Sequence, residues 1–154
     1  MASVASASIR SMTRVPAPGF VLALALPLAL AACGPSNESI KVSGTPASPA
    51  TDGTVDLLPR PEFGNAQVKI ELTHVTPAER LSPAARVFVV WARRGTSAEN
   101  LGTLQYDATT RAAKFEGSVV TGPFDLLVTA ETNVRVTEPS PFVLLAKTLR
   151  GAGE

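Results

Sequence analysis

One cysteine and one histidine stand among 154 residues, and that scarcity removes several kinds of chemistry at once. An intramolecular disulfide needs a second cysteine, and a structural zinc site needs several Cys or His ligands. Nucleophilic hydrolysis needs a base beside a Ser or Thr, and no recognisable elbow surrounds any serine. A glycine-rich phosphate loop, an internal repeat and a βαβ alternation are all missing. The longest apolar run, Gly19 to Ala32, has 14 residues with Pro27 inside it, short of the ~18 to 20 that cross a hydrocarbon core. Charge is nearly balanced, 14 Lys+Arg against 13 Asp+Glu, so nothing draws the chain electrostatically to nucleic acid. No cofactor, metal or catalytic residue is expected. Without disulfides the fold rests on packing alone, and roughly 100 residues suffice for one core.

What is present begins at the N-terminus. Met1 to Arg14 is small, polar and cationic through Arg10 and Arg14, and the apolar run follows. This is the order of a secretory signal, a positive region and then a hydrophobic one. A retained membrane helix is the competing reading, disfavoured by length. Initiation at Met12 keeps Arg14 and gives a shorter signal. The run ends in Leu30-Ala31-Ala32-Cys33, a branched apolar residue and two small residues before the cysteine.

That tetrad resembles the lipobox of bacterial lipoprotein precursors. The resemblance implies cleavage of a signal peptide, residues 1–32, a diacylglyceryl thioether on Cys33 and an amide-linked chain on its amine. Two such attachments make a stable anchor. Cleavage removes 32 of 154 residues and leaves 122; without Arg10 and Arg14, 12 Lys+Arg face 13 Asp+Glu. Gly34 is not the aspartate that typically retains such lipoproteins at the inner membrane. The expected location is therefore the bacterial envelope, at the outer membrane facing the periplasm if the cell has one.

Gly34 to Asp52 is rich in Ser, Thr, Pro, Gly and Asn. Such a composition buries too little apolar area to offset ordering entropy. Residues 33–52 are read as a lipidated N-terminus and flexible linker, with an r.m.s. reach of roughly 25 Å.

From Gly53 the pattern takes a period of two, and residues 53–150 are read as one β-domain. Val68, Ile70 and Leu72 alternate with polar residues, as do Phe124, Leu126 and Val128. Such alternation gives a strand one dry and one wet face. Arg86 to Ala92 is apolar on both faces, which places Val89 and Trp91 on a central strand. Weaker strands are expected at Thr54–Leu58, Asn100–Tyr106, Ala112–Ser118, Val134–Thr137 and Phe142–Lys147. Arg94-Gly95-Thr96-Ser97, Asp107-Ala108-Thr109-Thr110 and Thr121-Gly122-Pro123 supply turns. Thr76-Pro77-Ala78-Glu79 reads as a capping box, limited by Pro83 to about one helical turn. The expected fold is all-β, an immunoglobulin-like antiparallel sandwich of seven to eight short strands. Val68, Ile70, Leu72, Val89, Trp91, Phe124, Leu126 and Val128 form its core, with Trp91 as a plug between two sheets.

The order Val89-Val90-Trp91-Ala92, Asn100-Leu101-Gly102-Thr103-Leu104, Phe124 to Glu131, then Pro139-Ser140 resembles the extracytoplasmic C-terminal domain of anti-sigma-K-type factors. The resemblance covers roughly Thr54 to Lys147. It implies a β-sandwich outside the cytoplasm, engaged in sensing or partner contact, and it brings no catalytic residues. The cytoplasmic sigma-binding region and true membrane helix of that family have no counterpart here, so sigma binding does not transfer.

His74 ends its strand and reads as a solvated side chain. Asp125 and Glu131 share one strand about 20 Å apart, too far for a glycosidase pair. Asp107 with these two lacks calcium-loop spacing. Arg93 and Arg94 at a hairpin mouth, with Arg86 at the start of the same strand, can receive a partner's carboxylates or an anionic glycan; the plainer reading is a solvated edge protected by charge. The expected function is a lipid-anchored, non-catalytic binding module. It meets an unidentified envelope protein or glycan through sheet edges or the loops Arg93–Asn100 and Asp107–Arg111. A regulatory accessory sensing envelope state stands second, and a hydrolase is remote.

Overall fold

Alternation, turn chemistry and one long bent strand produce an all-β antiparallel domain. The computed structural model describes residues 37–151. The signal segment, the lipobox Leu30-Ala31-Ala32-Cys33 and residues 34–36 lie outside the described residues. The strands are β1 (Glu38–Ser43), β2 (Asp52–Arg60), β3 (Asn65–Thr73), β4 (Val87–Arg94), β5 (Ser97–Asp107), β6 (Ala112–Val120), β7 (Phe124–Glu131) and β8 (Val143–Leu149). A 3-10 turn, Pro61–Phe63, joins β2 to β3, and one helical turn, α1 (Ala78–Leu81), lies between β3 and β4.

The eight strands form a continuous sheet in the order β1-β2-β3-β6-β5-β4-β7-β8. The bend lies in β5. Its first part, Ser97 to Leu104, pairs with β4, whereas Gln105 to Asp107 pairs with β6. A bulge assists: Trp91 faces Asn100 and Val90 faces Gly102, leaving Leu101 as the extra residue. Gly102 has φ 134°, a conformation that L side chains rarely adopt. The sheet therefore has two halves, β1-β2-β3-β6 and β4-β7-β8, joined through β5. They share one core. Val55, Leu57, Val68, Ile70, Leu72 and Phe115 from the first half join Phe88, Val90, Leu126, Val128 and Leu144 from the second. Each fully buried aliphatic side chain contributes about 1.5–3 kcal/mol relative to exposure.

β4 is central, between β5 and β7, as its apolar run predicts. Trp91 is fully buried, but it does not plug the space between the halves. Phe88, Val90 and Ala92 point into the shared core, and period two sends Val89 and Trp91 to the opposite face. There they form a second cluster with Leu127, Val87, Ala98 and Val136.

Three further expectations are corrected. The linker 33–52 contains β1, paired with β2 from Glu38↔Leu57 to Ser43↔Asp52. Its polar turn is ordered by buried hydroxyls: Ser48 Oγ meets Thr51 Oγ1 at 2.6 Å and donates to Thr76 Oγ1 at 2.6 Å. The domain thus includes Glu38–Ser43 and the turn that follows, upstream of Gly53. Thr76, engaged by Ser48, does not cap α1; Pro77 is the N-cap residue and no side-chain cap bond forms. Val134–Thr137 is not a strand. The Asn133 side chain accepts the Arg135 amide at 2.9 Å, and the carbonyls of Val134 and Val136 accept from Asn100 Nδ2 rather than from a neighbouring strand.

Candidate functional site

The outer cluster is closed by the β7–β8 connection, which crosses the face of β4 and β7 like a strap. Trp91 Nε1 donates to Thr129 Oγ1 at 2.8 Å, and Thr129 Oγ1 donates to Glu131 Oε1 at 2.5 Å. The Ser140 amide donates to the same carboxylate oxygen at 2.8 Å, and Ser140 Oγ donates to the Ala130 carbonyl at 3.0 Å. Thr129 and Glu131 are both buried, and the chain of bonds satisfies polar groups that would be costly alone. Asn100 completes the strap by donating to its carbonyls and accepting the Gly102 amide at 3.0 Å. The Trp, Asn-Leu-Gly, Thr-Ala-Glu and Pro-Ser residues noted in the sequence thus meet in one architectural device.

The arginines at the hairpin mouth are engaged within the domain. Arg93 Nη2 donates to Asp125 Oδ2 at 3.0 Å. The Thr148 hydroxyl, followed by Arg93, holds the Asp125 carboxyl below the ordinary aspartate range. Arg94 donates to the Val120 carbonyl at 2.6 Å, lies 3.8 Å from Glu99 and stacks over Phe124 at 5.4 Å. Arg86 donates to the carbonyls of Pro83 and Ala85. These contacts fix the guanidiniums as braces.

His74 is exposed, with φ 54° and Nδ1 3.2 Å from Asp52 Oδ1. Asp52 is held low mainly by the Thr73 hydroxyl and then by His74. The Thr73 hydroxyl donates to the same Asp52 oxygen at 2.5 Å, so its hydrogen is committed to the carboxylate rather than to the imidazole. Asp107 accepts the Thr109 amide at 2.8 Å and the Thr110 amide at 3.4 Å. These bonds make a turn and lower its pKa, the Thr109 amide most. Among the described residues, no group of three or more His, Cys, Asp or Glu is placed to hold a metal. No described helix is long and apolar enough to cross a membrane.

A cleft lies where the halves separate. β5 and β6 pair only from Gln105↔Lys114 to Asp107↔Ala112. Beyond that, β6 residues Phe115 to Val120 keep β3 as their strand partner, and β5 residues Ser97 to Leu104 keep β4. Between the diverging edges is a cleft of about 450 Å³, lined by Lys69, Glu71, Gly102, Thr103, Gln105 and Lys114, among others. The Phe115 ring forms its floor because two glycines leave it room. A Cβ on Gly117 would lie 2.5 Å from Phe115 Cζ, and one on Gly102 would lie 3.3 Å from Cε2. Lys114 Nζ pairs with Glu71 at 3.3 Å, and Gln67 bonds Glu116 beside it. The rim carries both signs of charge. A second cleft, about 420 Å³, lies beside α1 between Phe88, Leu104 and Tyr106. Sheet edges in general are legible in the sequence, and a glycine inside a strand signals the bulge at Leu101, but β5 changes partner between Leu104 and Gln105, where no residue marks it.

No family model matches the chain, and neither the curated proteins nor the solved structures include a match.

Proposed function

We propose that this chain is a bacterial envelope lipoprotein, anchored by acyl chains on Cys33, whose β-domain is a non-catalytic interaction module. It takes an extended segment of an envelope polypeptide at the β5–β6 cleft. The observation carrying this reading is the parting of two strand edges beyond Gln105↔Lys114, within one continuous sheet. An extended polypeptide can add main-chain hydrogen bonds to such edges while its alternate side chains enter the cleft. The mixed rim of Lys69, Glu71, Lys114 and Glu116 suits a segment of low net charge. Support for the anchor comes from Leu30-Ala31-Ala32-Cys33 following a cationic and then an apolar segment. Gly34 favours the outer membrane, facing the periplasm, in a cell that has one.

The test is mild in-cell crosslinking of a C-terminally tagged chain, followed by detergent purification and mass spectrometry, with Cys33→Ala in parallel. The expected result is one dominant polypeptide captured by the wild type and depleted with Cys33→Ala. Capture of no polypeptide by either chain overturns the module. A wild-type chain that partitions into water like Cys33→Ala overturns the anchor.

A further inference from the structure

We infer that the end of the domain carrying Phe63 and Val120 docks on the lipid surface to which Cys33 is attached; this rests on the anchor proposed above. Phe63 is 70 % exposed and Val120 59 % exposed. They belong to one end of the sheet. Val120 is paired with Asn65, and the Thr121 amide and hydroxyl donate to the Gly64 carbonyl. The turn Pro61–Phe63 buries none of its residues. An aromatic ring held out on a short turn contributes nothing to the core, and an exposed apolar tip marks a contact surface.

The chain leading to β1 states what covers it. β1 runs antiparallel to β2, with Glu38 opposite Leu57, so its first residue lies at the Phe63 end. Five residues along the chain from Cys33 to Glu38 reach at most about 17 Å even when fully extended. The β2 tip at Arg60 lies three residues beyond Leu57, about 10 Å along the strand. A domain fixed by acyl chains on Cys33 therefore cannot stand off at the reach of a long linker. Its Phe63 end is held within one short segment of the headgroups, where an aromatic side chain partitions well. Arg60 precedes the turn, Glu62 lies within it, and Arg94 reaches the Val120 carbonyl, so charges of both signs border the apolar tip. The cleft rim at Thr103 and Gln105 and the turn at Asp107–Arg111 then face away from the membrane or along it.

The experiment uses acylated full chain purified from cells and reconstituted in vesicles of phosphatidylethanolamine and phosphatidylglycerol. Phe63→Trp is compared with Ala108→Trp, which lies on the turn at the other end of the sheet; buried Trp91 is a constant background in both. Intact mass establishes acylation first. The expected result is a blue shift of the Phe63→Trp emission on vesicles and quenching by lipids brominated on the acyl chain. The Ala108→Trp variant should remain open to aqueous iodide. An acylated Phe63→Trp chain with unshifted, iodide-accessible emission overturns the docking alone. Equal lipid quenching of both variants overturns the orientation and so the docking. A chain of unmodified mass overturns the anchor, and the docking with it.

Discussion

The two halves of the sheet treat their outer faces differently. In β4 and β7 both faces are dry. Phe88, Val90 and Ala92 point to the shared core, and Val89 and Trp91 lie beneath the strap of residues 132–142. In β3 and β6 the outer face is bare, and Lys69, Glu71, Lys114 and Glu116 are exposed. This difference follows from the sequence patterns Val-Phe-Val-Val-Trp-Ala and Gln-Val-Lys-Ile-Glu-Leu-Thr. A strand apolar at every position demands cover on both sides, and here a loop supplies what a second layer of structure would otherwise provide. The covered half is rigidly specified by packing and by a buried polar chain. The bare half keeps a wet face and, where it separates from β5, a free edge.

Removing the covered half's anchor should have the largest effect. Trp91→Ala deletes a fully buried side chain and leaves Thr129 without its indole donor. Its expected cost is about 3–5 kcal/mol, read as a lower urea midpoint. Thr129→Val keeps the shape but strands the Trp91 N–H and one bond to Glu131. It should cost about 1–3 kcal/mol and alter near-UV dichroism of Trp91. On the bare half, Lys114→Ala breaks an ion pair of 3.3 Å whose side chains are 69 % and 65 % exposed. Its expected change stays within ~0.5 kcal/mol. Comparable losses for Thr129→Val and Lys114→Ala would erase the contrast between the halves.

The smallest effect concerns acid. Asp125 lies at the exposed end of the covered half, and Thr148 and Arg93 lower its pKa in the folded state. A lowered folded-state pKa means that its contribution is complete above the ordinary aspartate range and lost as pH falls through the folded value. Asp125→Asn should therefore flatten the pH dependence of stability on the acid side and leave it unchanged near neutrality. A carboxyl carbon titration by NMR checks the direction, and a midpoint in or above the ordinary range contradicts it.

Much of this architecture was legible in the residues. The central place of β4, the alternation of β3, and the turns at Gly95 and Asp107 follow from apolar period and turn chemistry. The wet face expected for β7 is not there: Leu127, Thr129 and Glu131 are buried, because the strap covers them. β1 was missed because Ile40 and Val42 are only two apolar residues in a polar stretch. Their alternation with Ser39, Lys41 and Ser43, before Gly44-Thr45-Pro46, was the available signal. The face of Trp91 could not be read, since a period of two separates Val90 from Trp91 without saying which side is the core. Val134 and Val136 imitated a strand, but a side chain, Asn100, takes their carbonyls. Trp91, Asn100, Thr129, Glu131 and Ser140 hold the strap in place. The cleft was the least legible part: β4 and β6 each join β5 by a short turn, and a period of two does not say where along β5 one ladder ends and the other begins.

The account turns on whether that cleft is the edge at which a partner binds. Photo-crosslinking in cells decides it most directly, with p-benzoylphenylalanine placed at Thr103 on the cleft rim or at Ser39 on β1. The account predicts one strong polypeptide adduct from Thr103 and none from Ser39. No adduct from Thr103, or the same adduct from both positions, contradicts it.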